Sequence, residues 1–285
     1  MYILKAKKIK KIYIPYYLCD SIGFMLSNNG YEYEYYNINL DLTPIFNKEL
    51  DEDEYLYIVN YFGQLENEKI IHLKKKYRNI ILDNVMAFFQ RPLKNIDTIY
   101  SCRKFFGVPD GAYVSTDTLL NEELDFASSK DRMKHLLGRF EGNAFEYYND
   151  FQKTELSYKV EPLKNMSKIS KNIIGAIDFN KVIQIRNDNY KYLEHSLNHI
   201  NRLRCVAPNG AFAYPLYIDN GIELRKELAE MQIYIPTLWP NVLQNTPQNS
   251  VEYQYAANIL PLPCDQRYCK EDIDYMYNAL ISLIK

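Results

Sequence analysis

The sequence predicts an α/β fold with a mostly parallel central sheet flanked by helices, followed by a smaller C-terminal α+β domain. Three observations carry this. Short β-type runs alternate with helical stretches through the first half of the chain, the pattern of strand–helix–strand units. Two of those runs, "EYLYIVNYFG" and "NIILD", are almost continuously apolar, as strands buried on both faces are. From about Glu122 the texture changes to long, polar helical stretches.

Taken in order, "KIYIPYY" predicts a strand, and "LCDSIGFMLSNNG" a helix closed by Gly30. "YEYEYYNI" alternates and predicts a strand, and "EYLYIVNYFG" a buried one. "ENEKIIHLKKKYR" predicts an amphipathic helix. "NIILD", "TIYSC" and "GAYVST" predict three further strands. "SKDRMKHLLGRFEGNAFEYYNDFQKTEL" predicts one long polar helix, and "SKISKNIIGAIDFNKVIQIRNDNYKYLEHSLNHINR" a second, kinked near Asp178. A strand ("AFAYPLYI"), a helix ("GIELRKELAEMQI"), a Pro-rich loop around Trp239 and a final helix ("KEDIDYMYNALISLIK") complete the chain. The expected division is 1–157 for the large domain and 158–285 for a connecting helix and the small domain.

The bulk numbers narrow the function classes. The 285 residues suffice for a sizeable core in one or two domains, and 47% hydrophobic with 25% charged residues fits a globular protein. A net charge of −2 gives no basic field to attract nucleic acid. No apolar run approaches a membrane span, and the first residues lack the apolar stretch of a signal peptide. The five cysteines (Cys19, Cys102, Cys205, Cys264, Cys269) are scattered without zinc-site spacing and read as reduced thiols. His195 and His199 stand one helical turn apart with no nearby third ligand, so they read as a solvated helix face rather than a metal site.

Open α/β sheets bind ligands at the carboxyl ends of their strands. Two such ends carry reactive groups: Asp83 closes "NIILD", and Lys104 follows "TIYSC". Two readings fit. One is a salt bridge, the commoner case for an arbitrary Asp/Lys pair. The other is a site for pyridoxal 5'-phosphate (PLP), in which a lysine forms a Schiff base with the aldehyde and an aspartate keeps the pyridine nitrogen protonated. Ser101, three residues before the lysine, offers a hydroxyl either to the cofactor phosphate or to the local backbone.

Five segments then match one family in order: "VNYFGQ", "IILDNVMAFF", "YSCRKFFGVPDGAYV", "MSKISKNIIGAIDFNKVIQIRNDNYKYLEHSL" and "ILPLPCDQRYCKEDIDYMYNAL". Together they resemble the DegT/DnrJ/EryC1/StrS group of PLP-dependent sugar aminotransferases, of fold type I. The resemblance covers most of the chain. It implies that Lys104 is the cofactor-bound amine and the proton-transfer base, that Asp83 pairs with the pyridine nitrogen, and that Ser101 touches the phosphate. Asn60 occupies the place of a family histidine. Tyr17 or Cys19 lies where an aromatic stacks on the cofactor ring. The implied activity is amino transfer to a nucleotide-linked keto sugar, with glutamate as donor. The implied setting is a cytoplasmic homodimer serving surface-polysaccharide or amino-sugar biosynthesis.

The chain also departs from the family pattern. Leu18 replaces a usual threonine, Asn165 a usual arginine, and Met86 a glutamine near the cofactor's phenolic oxygen. A thioether cannot donate that hydrogen bond. The phosphate-cradling loop at a helix N-terminus is not visible ahead of "KIYIPYY", and "MYILKAKKIKK" resembles the end of the family's helix there. Either the start is truncated or that part of the site is lost, and the missing helix is expected to expose apolar surface that another chain could cover. These departures support an alternative, an inactive member of the fold acting as a scaffold or binding protein. Retained Lys104, Asp83 and Ser101 favour the enzyme, and Lys104 argues against the family's dehydratases, which carry histidine there. Three weaker substrate candidates each have an ordinary reading. Arg103 is an anion site or a surface arginine. Trp239 is a small-domain contact or an interdomain core residue. Arg267 contacts a substrate phosphate or pairs with a nearby acid.

Overall fold

The computed structural model describes residues 1–159 and 161–284. Its strands are β1 (Lys11–Pro15), β2 (Glu32–Ile38), β3 (Pro44–Ile45), β4 (Glu54–Val59), β5 (Ile80–Asp83), β6 (Asp97–Ser101), β7 (Ala112–Ser115), β8 (Ala213–Tyr217) and β9 (Ile259–Pro263). The first seven form one sheet in the order β3-β2-β1-β4-β5-β6-β7. β2, β1, β4, β5 and β6 run parallel, and antiparallel β3 and β7 close the two edges. All four residues of β5 are buried, as are the last four of β4, which explains their unbroken apolar sequence.

Helices α1 (Tyr2–Ala6), α2 (Asp20–Asn28) and α3 (Asn67–Tyr77) belong to this half. Helix α3 buries Ile70, Leu73 and Tyr77, an i, i+3, i+7 stripe, against the sheet. After β1 the chain crosses to β2 on one side; after β4 it proceeds to β5 and β6 on the other. The carboxyl ends of β1 and β4 therefore flank the point where strand order reverses, the place where sheets of this type form a ligand crevice.

The later helices are α4 (Lys134–Glu141), α5 (Tyr148–Tyr158), α6 (Lys168–Gly175), α7 (Phe179–Leu197), α8 (Gly221–Glu230), α9 (Pro240–Asn245), α10 (Val251–Asn258) and α11 (Lys270–Leu283). Two expectations change here. The first long polar helix is two short ones. The chain breaks at Gly142, and Asn143 restarts it by accepting the Phe145 N–H at 3.0 Å. The second long helix is not kinked but ended: Gly175 closes α6, and the Asp178 carboxylate caps α7 by accepting the Lys181 N–H at 3.1 Å.

β8 and β9 form an antiparallel pair beneath α7, α8 and α11, around Tyr190, Leu193, Leu216, Leu260 and Leu280. Helix α10, which the sequence reading passed over, ties this unit to the large sheet. Buried Glu252 accepts the Ile38 N–H at 2.7 Å, and the Tyr255 hydroxyl donates to the Leu40 carbonyl.

One glycine is required by both conformation and space. Gly63, in "VNYFGQ", has φ +74°, and a Cβ there would lie 2.9 Å from the Pro208 side chain. Gly63→Ala is expected to lower stability by about 1–3 kcal/mol, read as an earlier midpoint in urea unfolding. An unchanged midpoint would contradict this placement.

Candidate active site

The candidate residues converge because they follow the carboxyl ends of adjacent parallel strands. Tyr17 and Cys19 follow β1, Asn60 follows β4, Asp83 ends β5, and Ser101 ends β6 just before Lys104. Ile99 pairs with Asp83, so β6 overruns β5 and carries Ser101 beyond the carboxylate.

Asp83 is 3% exposed and held on both sides. Tyr57 Oη donates to its Oδ2 at 2.6 Å, and the Val85 N–H to its Oδ1 at 2.8 Å. Val59 lies directly opposite Asp83, and period-two alternation puts Tyr57 on the same face, one step diagonal. Burial raises the Asp83 pKa from its ordinary value. The Tyr57 hydroxyl, the Val85 amide and the Lys104 charge pull it back.

The turn after β6 explains the lysine. Phe105 and Phe106 donate their N–H groups to the Cys102 carbonyl, folding the chain tightly. Cys102, Phe105, Phe106 and Val108 turn inward to an aromatic cluster with Phe88 and Phe89. Their burial leaves Arg103 and Lys104 outside. Lys104 lies open to solvent, its Nζ 5.2 Å from the centre of the Phe212 ring. Protein mass around it lowers its pKa, while Asp83 and Cys19 oppose that shift. The simple salt bridge is not made: no ion pair or hydrogen bond joins Lys104 to Asp83. Among the described residues neither the Lys104 amine nor the Ser101 hydroxyl has a side-chain hydrogen-bond partner.

The remaining candidates are engaged in the fold. Asn60 is fully buried; its amide donates to Asn84 Oδ1 (3.0 Å) and Gln90 Oε1 (2.6 Å), and its oxygen accepts the Leu65 N–H (2.8 Å). Tyr17 is enclosed by the rings of Tyr61, Trp239 and Tyr255, and its hydroxyl is buried without a partner. Cys19 is partly exposed ahead of α2 and accepts the Ser21 hydroxyl at 3.2 Å. Met86 is buried, 1% exposed. Arg103 pairs with Glu155 and lies over the Tyr158 ring. Arg267 holds Asp265 through two bonds, at 2.7 and 2.9 Å. Asn165 pairs through its backbone with Asp125 and Ala127.

A cavity of about 630 Å³ is lined by Phe88, Phe89, Tyr113 and Phe179; none of the candidate residues lines it. Two residues at the site were not singled out from sequence: Tyr57, whose contact depends on strand register, and Arg186. The latter is an arginine in the apolar stripe Val182, Arg186, Tyr190, Leu193, Leu197 of α7, and that interruption is its sequence signal.

The residues fit PLP in three respects. A buried carboxylate has acceptor capacity left, an amine lacks a protein partner, and a hydroxyl is available at the same strand ends. Lys104 would hold the aldehyde carbon, Asp83 the ring nitrogen and Ser101 the phosphate.

The sheet order and its flanking helices match the fold type I aminotransferase architecture, a likeness of fold that solved structures share. The chain is similar to a DegT DnrJ EryC1 StrS aminotransferase from Brucella abortus, at 12% identity and TM-score 0.61, covering 98% of this chain and 81% of that one. It is similar to DesV of S. venezuelae, solved with a ketimine intermediate, at 12% identity and TM-score 0.63, covering 98% and 80%. It is also similar to Helicobacter pylori PseC, an aminotransferase of pseudoaminic acid biosynthesis, at 14% identity and TM-score 0.60, covering 98% and 82%. These likenesses establish the fold. No family model matches the chain, and no curated protein matches it in sequence.

Proposed function

We propose that this protein is a PLP-dependent aminotransferase that transfers an amino group to a keto sugar, carried on a nucleotide, in amino-sugar or surface-polysaccharide synthesis. The observation that carries the reading is the placement of Lys104 and Asp83. An unpaired amine and a buried carboxylate stand at the carboxyl ends of adjacent parallel strands, within a fold shared by sugar aminotransferases. Bound there, PLP supplies an aldehyde and an electron-accepting ring. Asp83 would hold the ring nitrogen in its protonated form. Lys104 would anchor the cofactor through its amine and would move the proton at the reacting substrate carbon. The protein packed around Lys104 lowers its pKa from the ordinary lysine value, which favours the neutral amine that a base needs.

Glutamate is the proposed donor and the cytoplasm the proposed setting; among the described residues no helix is long and apolar enough to cross a membrane. The test is a panel of nucleotide-linked keto sugars with glutamate, read by mass spectrometry of the sugar. An amino sugar formed only with PLP supports the reading. No product and no PLP retention across the panel would contradict it. The second reading, an inactive scaffold of the same fold, is favoured by Asn60, whose amide is spent on Asn84 and Gln90, and by the thioether of Met86.

A homodimer is proposed as the working unit. The segment between β7 and α6 exposes Leu137 (55%), Phe140 (92%), Phe145 (80%) and Leu156 (62%), large apolar side chains of the kind that interaction surfaces cover. Light scattering is expected to find a dimer, and a Phe140→Lys, Phe145→Glu double variant a monomer. A wild-type monomer at high protein concentration would contradict the proposal.

A further inference from the structure

Arg186 is 1% exposed, yet no carboxylate lies within ion-pairing distance of it. Its charge is spent on carbonyl and amide oxygens. Nη1 donates to the Ala211 carbonyl at 2.7 Å, Nη2 to the Phe105 carbonyl at 3.4 Å, and Nε to Gln266 Oε1 at 2.8 Å. The Gln266 amide in turn donates to the same Phe105 carbonyl at 2.7 Å. The guanidinium also lies 4.6 Å over the Phe105 ring. Phe105 is the residue after Lys104. Ala211 is the residue before Phe212, whose ring lies beneath the Lys104 amine. One buried cation thus holds both the turn that carries the lysine and the segment just before β8 that carries the ring under it. Burying a guanidinium is costly unless hydrogen bonds meet its charge, and here three oxygens supply them.

We infer that Arg186 and Gln266 are positioning residues that clamp the Phe105 carbonyl and thereby fix Lys104 over the site. The inference rests on the reading of Lys104 as the reactive amine. Without the clamp the Phe105 carbonyl loses both donors, the Lys104 side chain shifts away from the protein packed around it, and its basicity returns toward that of an ordinary lysine. The titratable and charged groups facing the Lys104 amine are Asp83, Cys19 and Arg103.

Gln266→Glu separates the clamp from simple packing. Glutamate still accepts from Arg186 and pairs with its charge, but it cannot donate to Phe105. The probe is trinitrobenzenesulfonate, which labels only neutral amines and requires no PLP. Peptide mass spectrometry follows Lys104 against exposed Lys168 of α6 as internal reference. In Gln266→Glu and in Arg186→Lys the Lys104/Lys168 labelling ratio near neutral pH is expected to fall about threefold or more, with its pH midpoint moved upward. An unchanged ratio in both variants would overturn the inference, whether or not their melting temperatures change. If the ratio falls but wild-type protein retains no PLP, the clamp stands and the cofactor reading falls.

Discussion

Lys104→Ala is expected to abolish amino transfer, lowering kcat/KM by about 10²–10⁴-fold or more, the scale set by a positioned acid–base group alone. Lys104→Arg is expected to fare no better, because a guanidinium stays charged and cannot serve as the anchoring amine. Folding should survive both changes, since Lys104 lies open to solvent and makes no ion pair or hydrogen bond. Its lowered pKa adds a pH signature. Between the native value and the ordinary lysine value the unfolded chain binds more protons, so wild-type stability rises with pH through that alkaline window. Lys104→Ala removes this slope. Denaturant titrations across alkaline pH, run beside the transfer assay, check both parts. A Lys104→Ala protein that keeps its activity would remove the basis of the proposed chemistry.

Asp83→Asn is expected to separate stability from function in the opposite direction. Burial raises the Asp83 pKa, so between its ordinary and native values the folded protein holds more protons than the unfolded chain. Stability therefore falls as pH rises through that acidic window. Asparagine keeps an oxygen for the Val85 N–H and has no charge to desolvate. The variant is expected to be at least as stable as wild type at neutral pH, with the acidic slope gone. Its amino transfer should drop by about 10²–10³-fold, the scale for removing a charge-stabilising group from a site, because an amide cannot keep the pyridine nitrogen protonated. Urea midpoints from acid to neutral pH and kcat/KM values check the two halves. A less stable variant with normal activity would mean that Asp83 serves the fold alone.

How much was legible in the sequence depended on whether the signal was local. Strands β4 and β5 announce themselves because both faces are buried, which makes the apolar run continuous. Asp83 and Lys104 stand out because each interrupts apolar sequence at a strand end. The breaks at Asn143 and Asp178 were equally local, since both residues are helix caps, yet the polar texture around them masked the stops. The Tyr57–Asp83 bond was not legible, because it joins residues 26 apart through a register that only the folded sheet sets. The competition between Tyr17 and Cys19 was likewise beyond sequence reasoning. Only packing shows the Tyr17 ring enclosed by Tyr61, Trp239 and Tyr255 while Cys19 remains partly open. Arg186 was legible in part: a lone cation on an apolar stripe marks a buried function, but its target at Phe105 lies 81 residues away.

The most direct test of the central claim is to add PLP to the purified protein, reduce with borohydride, and map the modified peptide. The expected result is a visible absorbance band that borohydride removes, with the phosphopyridoxyl group on Lys104 and no band in Lys104→Ala. A band that persists in the variant, label spread over other lysines, or no band at saturating PLP would contradict the assignment of this strand-end lysine as the cofactor's anchor.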